Sequence, residues 1–297
     1  MTMNANEILE QYLDMLKKYG KSELTISNYR RSIVRLFKYF KIEEIYQIQN
    51  ITKQEFRNFI FSLEISNSSK NGLIMEISPF LNYLTGDEII HHESITSTTF
   101  GNKKFLPVEK KEGNPLTEDE IKEIYSACRT SQERFMMAFM LYTGLRESSI
   151  VNVKISDING DGLFYVKAKG NKVVPVKMNP HLMQLFEAYK ADRDSSKEYL
   201  FYPTGKGGKN PQMRPIGVYE RVKCILSRTS ISKERQKQIT AHKFRHAFVT
   251  KIYNDVSPLA AQQAAHHSNS NITKIYVDEN KYSQGLEAMS KIHYELE

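Results

Sequence analysis

Only two cysteines, Cys128 and Cys224, occur in the 297 residues, far apart and with no CxxC pair. That excludes the even disulfide framework of small secreted scaffolds, and neither thiol is expected to do chemistry. Long apolar runs are also missing. The longest, Phe135 to Tyr142, has eight residues, against the ~18 that a membrane helix needs. The polar start, Met1 to Glu7, lacks the apolar core of a secretory signal. With 26% charged and 40% apolar residues, the chain falls in the globular range, and a cytosolic protein without a membrane partner is expected.

Nucleotide and metal signatures are absent too. The loop Thr204 to Lys209 has glycines and lysines but not the GxxxxGK[ST] spacing of a phosphate cradle. Asp157, Asn159, Asp161 and Gly162 open like a calcium loop, yet its twelfth position, where a bidentate acid must sit, is Ala168. His91 and His92 are adjacent, with no i, i+4 partner or nearby cysteine to make a zinc site. No metal and no cofactor is expected.

What is present is positive charge, unevenly spread. Lys and Arg number 42 against 34 acids, but residues 1–100 carry 11 basic and 12 acidic side chains. Between Phe201 and Lys251 there are 12 basic residues, Lys206, Lys209, Arg214 and Lys243 among them, opposed only by Glu220 and Glu234. A smaller zone, Leu24 to Ile42, contains no acid; its apolar residues Ile26, Tyr29, Ile33, Phe37 and Phe40 recur at helical spacing and leave Arg31, Arg35 and Lys38 on the solvent stripe. One such face is an ordinary solvated helix. Two zones in separate parts of a chain fit a polyanion, because each neutralised phosphate releases counterions.

The patterning predicts a mainly α fold with a small β-sheet (α+β) in two domains. Helical spacing runs from Asn4 to about Leu84, giving a bundle of about four helices. The stretch 93–114 loses periodicity and collects Ser, Thr and charge, as a linker does. The expected division is a helical domain over 1–92, a linker over 93–114 and a second domain over 115–297. Thr117 and Glu120 form a capping box that opens the second domain. A helix near Gln132 to Tyr142 ends at Gly144, a suitable left-handed cap, and Arg146 lies just past that turn. Leu163 to Ala168 and Val173 to Met178 read as a hairpin with Lys169, Gly170, Asn171 and Lys172 at its tip. Helices follow beyond Pro180, near Val218 to Ser227, His242 to Tyr253, Pro258 to His266, Ile272 to Asp278 and Tyr282 to Tyr294, interrupted by a glycine-rich loop at Pro203 to Pro215.

Cutting and rejoining a phosphodiester by a covalent route needs a nucleophile, cations at the non-bridging oxygens and a proton donor for the leaving hydroxyl. The chain holds Thr143-Gly144-Leu145-Arg146, then Lys169-Gly170-Asn171-Lys172, then His242-Lys243-Phe244-Arg245-His246, and finally His267 nine residues before Tyr276. In order and spacing these elements resemble the tyrosine recombinase (phage integrase) family, of the simple two-domain, Xer-like type. The resemblance covers nearly the whole chain, with the N-terminal bundle similar to the family's SAM-like core-binding domain and Thr117 onward similar to its mixed α/β catalytic domain.

The resemblance implies that Tyr276 attacks the scissile phosphate, forming a 3′-phosphotyrosyl link and releasing a 5′-hydroxyl, without ATP or metal. It implies that Arg146 and Arg245 grip the non-bridging oxygens, where a planar guanidinium gives two parallel bonds. His242 and His267 would bond the same phosphate, and His242 would help take the proton of a phenol whose ordinary pKa is ~10. Lys169 would protonate the leaving oxygen, with Lys172 the alternative; His246 would pack or bond locally.

Two positions depart from the family pattern. His266 stands where a glycine usually precedes the second histidine, and Ser149 stands where an acid commonly follows the first arginine by three residues, so the orientation of Arg146 must be secured differently. The expected protein is a site-specific recombinase closing on duplex DNA as a clamp, cytoplasmic and nucleoid-associated, with a bundle that begins at Asn4 and no separate arm-binding domain. It would act as a homo-tetramer, with possible accessory proteins; Leu286, Met289 and Ile292 form a C-terminal stripe suited to docking on a neighbour, or to folding back on their own domain. The alternatives are a type IB topoisomerase-like relaxing enzyme and a non-catalytic DNA-binding regulator. The uneven basic charge predicts that the logarithm of the DNA-binding constant falls steeply and linearly with the logarithm of salt concentration in filter or anisotropy titrations; a flat response from low to moderate salt contradicts the phosphate-contact argument.

Overall fold

The computed structural model describes residues 3–90, 95–96, 99–100, 103–108, 114–167, 172–204, 211–264 and 283–294. The chain divides into two compact units, Met1–Glu112 and Gly113–Glu297.

The first unit is a four-helix bundle: α1 (Ala5–Lys18), α2 (Glu23–Phe40), α3 (Lys53–Ser62) and α4 (Asn67–Gly86), with a 3₁₀ turn at Ile45–Asn50. Each helix starts where a short polar side chain takes the first free amides: Asn4, Ser22, Thr52 and Ser66 serve in turn. Tyr12 of α1, Ile33 of α2, Phe59 of α3 and Phe80 of α4 meet in the core, with Tyr12 and Phe80 edge to face at 5.2 Å. Arg31, Arg35 and Lys38 lie exposed along α2. Arg30, next to them, is instead engaged by Glu10.

Part of the stretch that looks like a linker in the sequence packs on this bundle. Ile95, Thr99 and Leu106 are buried, Arg57 Nε donates to the Thr99 carbonyl at 2.9 Å, and Asn71 bonds both the amide and the carbonyl of Leu106. The sequence conceals this because those contacts are side chain to backbone and leave no periodicity.

The second unit is also mainly helical: α5 (Glu118–Ser126), α6 (Ser131–Thr143), α7 (Glu147–Ile150), strands β1 (Leu163–Lys167) and β2 (Val173–Lys177), then α8 (Pro180–Asp192), α9 (Pro215–Leu226), α10 (Lys233–Gln238), α11 (Ala241–Asp255), α12 (Pro258–Ala264) and α13 (Ser283–Lys291). The strands form an antiparallel hairpin in which Leu163 faces Lys177 and Lys167 faces Val173. The Thr117–Glu120 capping box opens α5 as its spacing predicts. The would-be calcium loop is a turn in which Asn159 accepts from the Leu163 amide and Lys177 bonds Asp161. Sequence periodicity missed α10 because Lys-Glu-Arg-Gln-Lys-Gln carries no apolar stripe.

Helix α6 is buried on nearly every side, as its continuous apolar run requires. Its first turn is pinned by Glu133, whose side chain is 1% exposed and accepts from Arg228 at 2.7 and 3.2 Å, from Arg221 at 3.3 Å and from the Arg129 amide at 2.8 Å. Burial alone would raise this carboxyl, but those donors outweigh it and hold the pKa at about 2.

The C-terminal helix folds back on its own unit. Ala288, Met289, Ile292 and Tyr294 are buried in the same core as α6. Asn179 donates to the Ile292 carbonyl at 2.8 Å, and the Tyr142 hydroxyl accepts from the Tyr294 amide at 2.9 Å. Of the two uses open to the stripe Leu286, Met289 and Ile292, this chain by itself adopts the second. The segment read as a helix from Ile272 to Asp278 lies outside the described residues, as do His91 and His92.

Replacing Glu133 by Gln is expected to cost about 3 kcal/mol of unfolding free energy at pH 7, since two arginines lose their shared counter-charge. Because the folded carboxyl titrates below the unfolded one, its contribution is complete above about pH 4.5 and lost as pH falls toward 2. Denaturant titrations should therefore show the wild-type advantage shrinking by about half between pH 7 and pH 3, and an equal advantage at both contradicts the network.

Candidate active site

The site is built on the turn that ends α6. Gly144 adopts φ +59°, the left-handed conformation in which glycine carries no penalty. A Cβ at this position would lie 2.1 Å from the ring of Phe248, so α11 packs directly on the turn. The turn places Arg146 at the N-cap of α7, where the carbonyl of Arg146 accepts from the Ser149 and Ile150 amides at 2.8 and 3.0 Å.

Helix α11 supplies the partners. Arg245 is 4% exposed and its Nη1 donates to the Gly144 carbonyl. Burial, and then the nearby positive charge of Arg146, push the guanidinium pKa down to about 10, while Glu147 acts the other way. His242 sits in the first turn of α11, whose N-cap Thr240 makes no side-chain capping bond. Its pKa is lowered by burial and then by Arg245, with Arg146 and Lys243 adding to the effect and Glu147 opposing it. At neutral pH the ring is therefore neutral and has a lone pair to receive a proton. Its ring meets that of His246 edge to face at 4.6 Å.

Three of the predicted groups, Arg146, His242 and Arg245, thus come together from two segments about a hundred residues apart in sequence. Like charges brought this close repel, and an anion between them relieves that repulsion with paired guanidinium bonds. Lys169, His267 and Tyr276 lie outside the described residues, as do Lys206 and Lys209. Lys172 is exposed beside β2, and Arg214 is exposed at the start of α9.

Lys243 makes a contact that the sequence does not show: its ammonium donates to the Asn114 carbonyl at 2.7 Å. Other members of the basic zone are occupied in the same way. Arg221 and Arg228 serve Glu133, Arg235 grips Glu120 and the carbonyls of Asn114 and Pro115, and Lys223 caps the end of α10 through the Gln236, Lys237 and Ile239 carbonyls. Counting charge along the sequence does not distinguish a cation facing solvent from one that ties helices together.

Sequence reasoning missed one participant, Glu147, and one contact, that of Ser149. Glu147 is the acid whose charge is felt by both His242 and Arg245. Ser149, 8% exposed, donates its hydroxyl to the Lys167 carbonyl at 3.2 Å. Glu147 could have been found as the acid adjoining Arg146, whereas the Ser149 bond leaves no mark in the sequence. Cys128 is buried, with burial pushing its thiol up to about 12, and is inert. Among the described residues, no group of three or more His, Cys, Asp or Glu side chains is arranged to hold a metal ion, and no helix is long and apolar enough to cross a membrane.

The chain is similar to several known proteins. Tyrosine recombinase XerA of Pyrococcus horikoshii is 26% identical over 274 residues, covering 91% of this chain and 88% of that protein. Tyrosine recombinase XerC of Anoxybacillus flavithermus is 23% identical, covering 91% of each. Among solved structures, a lambda integrase dimer bound to a COC′ core site superposes with a TM-score of 0.73 at 16% identity, covering 93% of this chain and all of that one. A lambda integrase tetramer bound to a Holliday junction gives 0.72 at 17% identity, covering 93% of this chain and 81% of that one. The profile of the phage integrase N-terminal SAM-like domain matches residues 9–84. That of the phage integrase family matches residues 114–282, more than half of the chain and all of the segments that meet at Gly144, and the chain belongs to the phage integrase family.

Proposed function

We propose that this protein is a site-specific DNA recombinase that cleaves and rejoins strands through a 3′-phosphotyrosyl intermediate. The observation that carries the reading is the convergence of Arg146, Arg245 and His242 near one turn, where two guanidiniums and a neutral imidazole feel one another's charge, a set suited to a phosphate. The family pattern supplies the remaining roles: Tyr276 as nucleophile, His267 as a second bond to the phosphate, and Lys169, or Lys172, as acid for the leaving oxygen.

In the cleavage step the Tyr276 oxygen bonds to phosphorus and the bond to the 5′-oxygen breaks. The phenolic proton passes toward His242, and the 5′-oxygen takes a proton from the lysine ammonium. Arg146 and Arg245 hold the charge that builds on the non-bridging oxygens, a task for bidentate donors that lysine replaces poorly. Rejoining runs the same step backwards with a 5′-hydroxyl from another strand, so no bond energy is lost. Exposed Arg31, Arg35, Lys38 and Arg214 are assigned to the DNA backbone, with Lys206 and Lys209 assigned the same task from sequence. Exchange between two duplexes requires several subunits, and the solved lambda integrase tetramer on a Holliday junction supports a homo-tetramer here. Accessory proteins and a place at the nucleoid belong to the same reading, as do the domain roles of a DNA-clasping bundle over 1–92 and a catalytic domain over 115–297.

A nicked suicide duplex library made from fragmented genomic DNA should trap wild-type protein covalently, and Tyr276→Phe should abolish the adduct while binding persists. Specific binding by wild type without any adduct contradicts catalysis and favours a regulator; adducts whose resealing relaxes a single-site plasmid without exchange favour a relaxing enzyme. Since burial and the neighbouring cations lower the His242 pKa in the free protein, kcat/KM for adduct formation should fall on acidification with a midpoint below the ordinary histidine value of about 6.5. His242→Gln should remove that acid limb. A limb centred above pH 7 contradicts the assignment.

A further inference from the structure

The family's usual acid is missing three residues after Arg146, and what stands there makes two bonds to two different parts of the site. The Ser149 amide donates to the Arg146 carbonyl at 2.8 Å, and the Ser149 hydroxyl donates to the Lys167 carbonyl at 3.2 Å. Lys167 is the last residue of β1 and pairs with Val173, the first of β2, so its carbonyl sits where the hairpin closes. In sequence it is two positions before Lys169, and Val173 directly follows Lys172. Ser149 itself is 8% exposed, in a short helix whose N-cap is Arg146. The bond is partly shielded from water, and its loss removes a donor from a carbonyl at the base of the hairpin.

We infer that Ser149 is a positioning residue that ties the Arg146 turn to the base of the lysine hairpin, so that the group protonating the leaving oxygen is held in register with the group gripping the phosphate. An acid at this position would repel the Lys167 carbonyl, whereas a hydroxyl donates to it. The inference rests on the recombinase reading and adds a residue which that reading does not contain. It also makes a chemical distinction available. With an ordinary substrate the departing 5′-oxygen must take a proton from the hairpin lysine, since an alkoxide is a poor leaving group. With sulfur at the bridging 5′ position the P–S bond breaks to release a thiolate, whose conjugate acid has a pKa near ~8.5, and no proton is needed. A defect in lysine placement is therefore seen with oxygen and not with sulfur.

The test uses full-length protein and a nicked suicide duplex of the sequence recovered from the trapped adducts, made once with the 5′-oxygen and once with bridging sulfur. Ser149→Ala should slow covalent-adduct formation about tenfold on the oxygen duplex, the scale of one buried hydrogen bond expressed in the transition state, with unchanged DNA affinity. On the sulfur duplex its rate should lie within about twofold of wild type, and Ser149→Thr, which keeps the hydroxyl, should recover most of the oxygen rate. Both rates are read from one preparation, so a smaller folded fraction would scale them alike and leave their ratio intact. Equal slowing on oxygen and sulfur, or no slowing on either, overturns the positioning role. Wild type that binds the genomic suicide library and yields no trapped adduct from it overturns the recombinase reading itself, and this inference with it.

Discussion

The candidate site depends on one backbone turn. Gly144 ends α6 in a conformation open to glycine without cost, brings its Cα so close to Phe248 that no side chain fits between, and offers its carbonyl to Arg245. Each of these features fixes a different partner. The left-handed cap directs the chain toward Arg146, the ring contact seats α11, and the carbonyl bond orients a buried guanidinium without cancelling its charge. A carbonyl is well suited to that task, because a carboxylate in its place would neutralise the guanidinium.

The rest of the second unit keeps that turn in place. Helix α6 is held at its start by Glu133 and its arginines and at its end by the Gly144 junction, and the C-terminal residues close over its far side through Tyr142 and Asn179. Basic side chains therefore do two kinds of work here. Some, such as Arg228 and Arg235, are internal ties between helices; others, such as Arg31, Arg35 and Lys38, stay exposed. Net charge measures their sum, and the structure separates them.

Much of this was legible in the sequence where the signal was local. The Gly144 cap, the Thr117–Glu120 box, the hairpin strands and the helix carrying His242 and Arg245 each follow from spacing and residue type within one turn or one strand. What escaped depended on contacts between distant segments. The burial of Ile95, Thr99 and Leu106 rests on side chains of α3 and α4 reaching a chain with no period of its own. The bond from the Lys243 ammonium reaches a carbonyl 129 positions away in sequence. Ser149 looks like a lost acid until its bond to Lys167 is seen. The apolar stripe of the last helix is equally suited to a neighbour or to its own unit, and only packing distinguishes them.

The central claim is that a phosphate belongs in the space shared by Arg146, Arg245 and His242. A crystal structure of the trapped protein–DNA adduct tests it most directly. The account predicts phosphorus bonded to the Tyr276 oxygen, its non-bridging oxygens within hydrogen-bond distance of both guanidiniums, and His242 in contact with the same group. Attachment through another residue, or a phosphate lying away from the Gly144 turn, would contradict it.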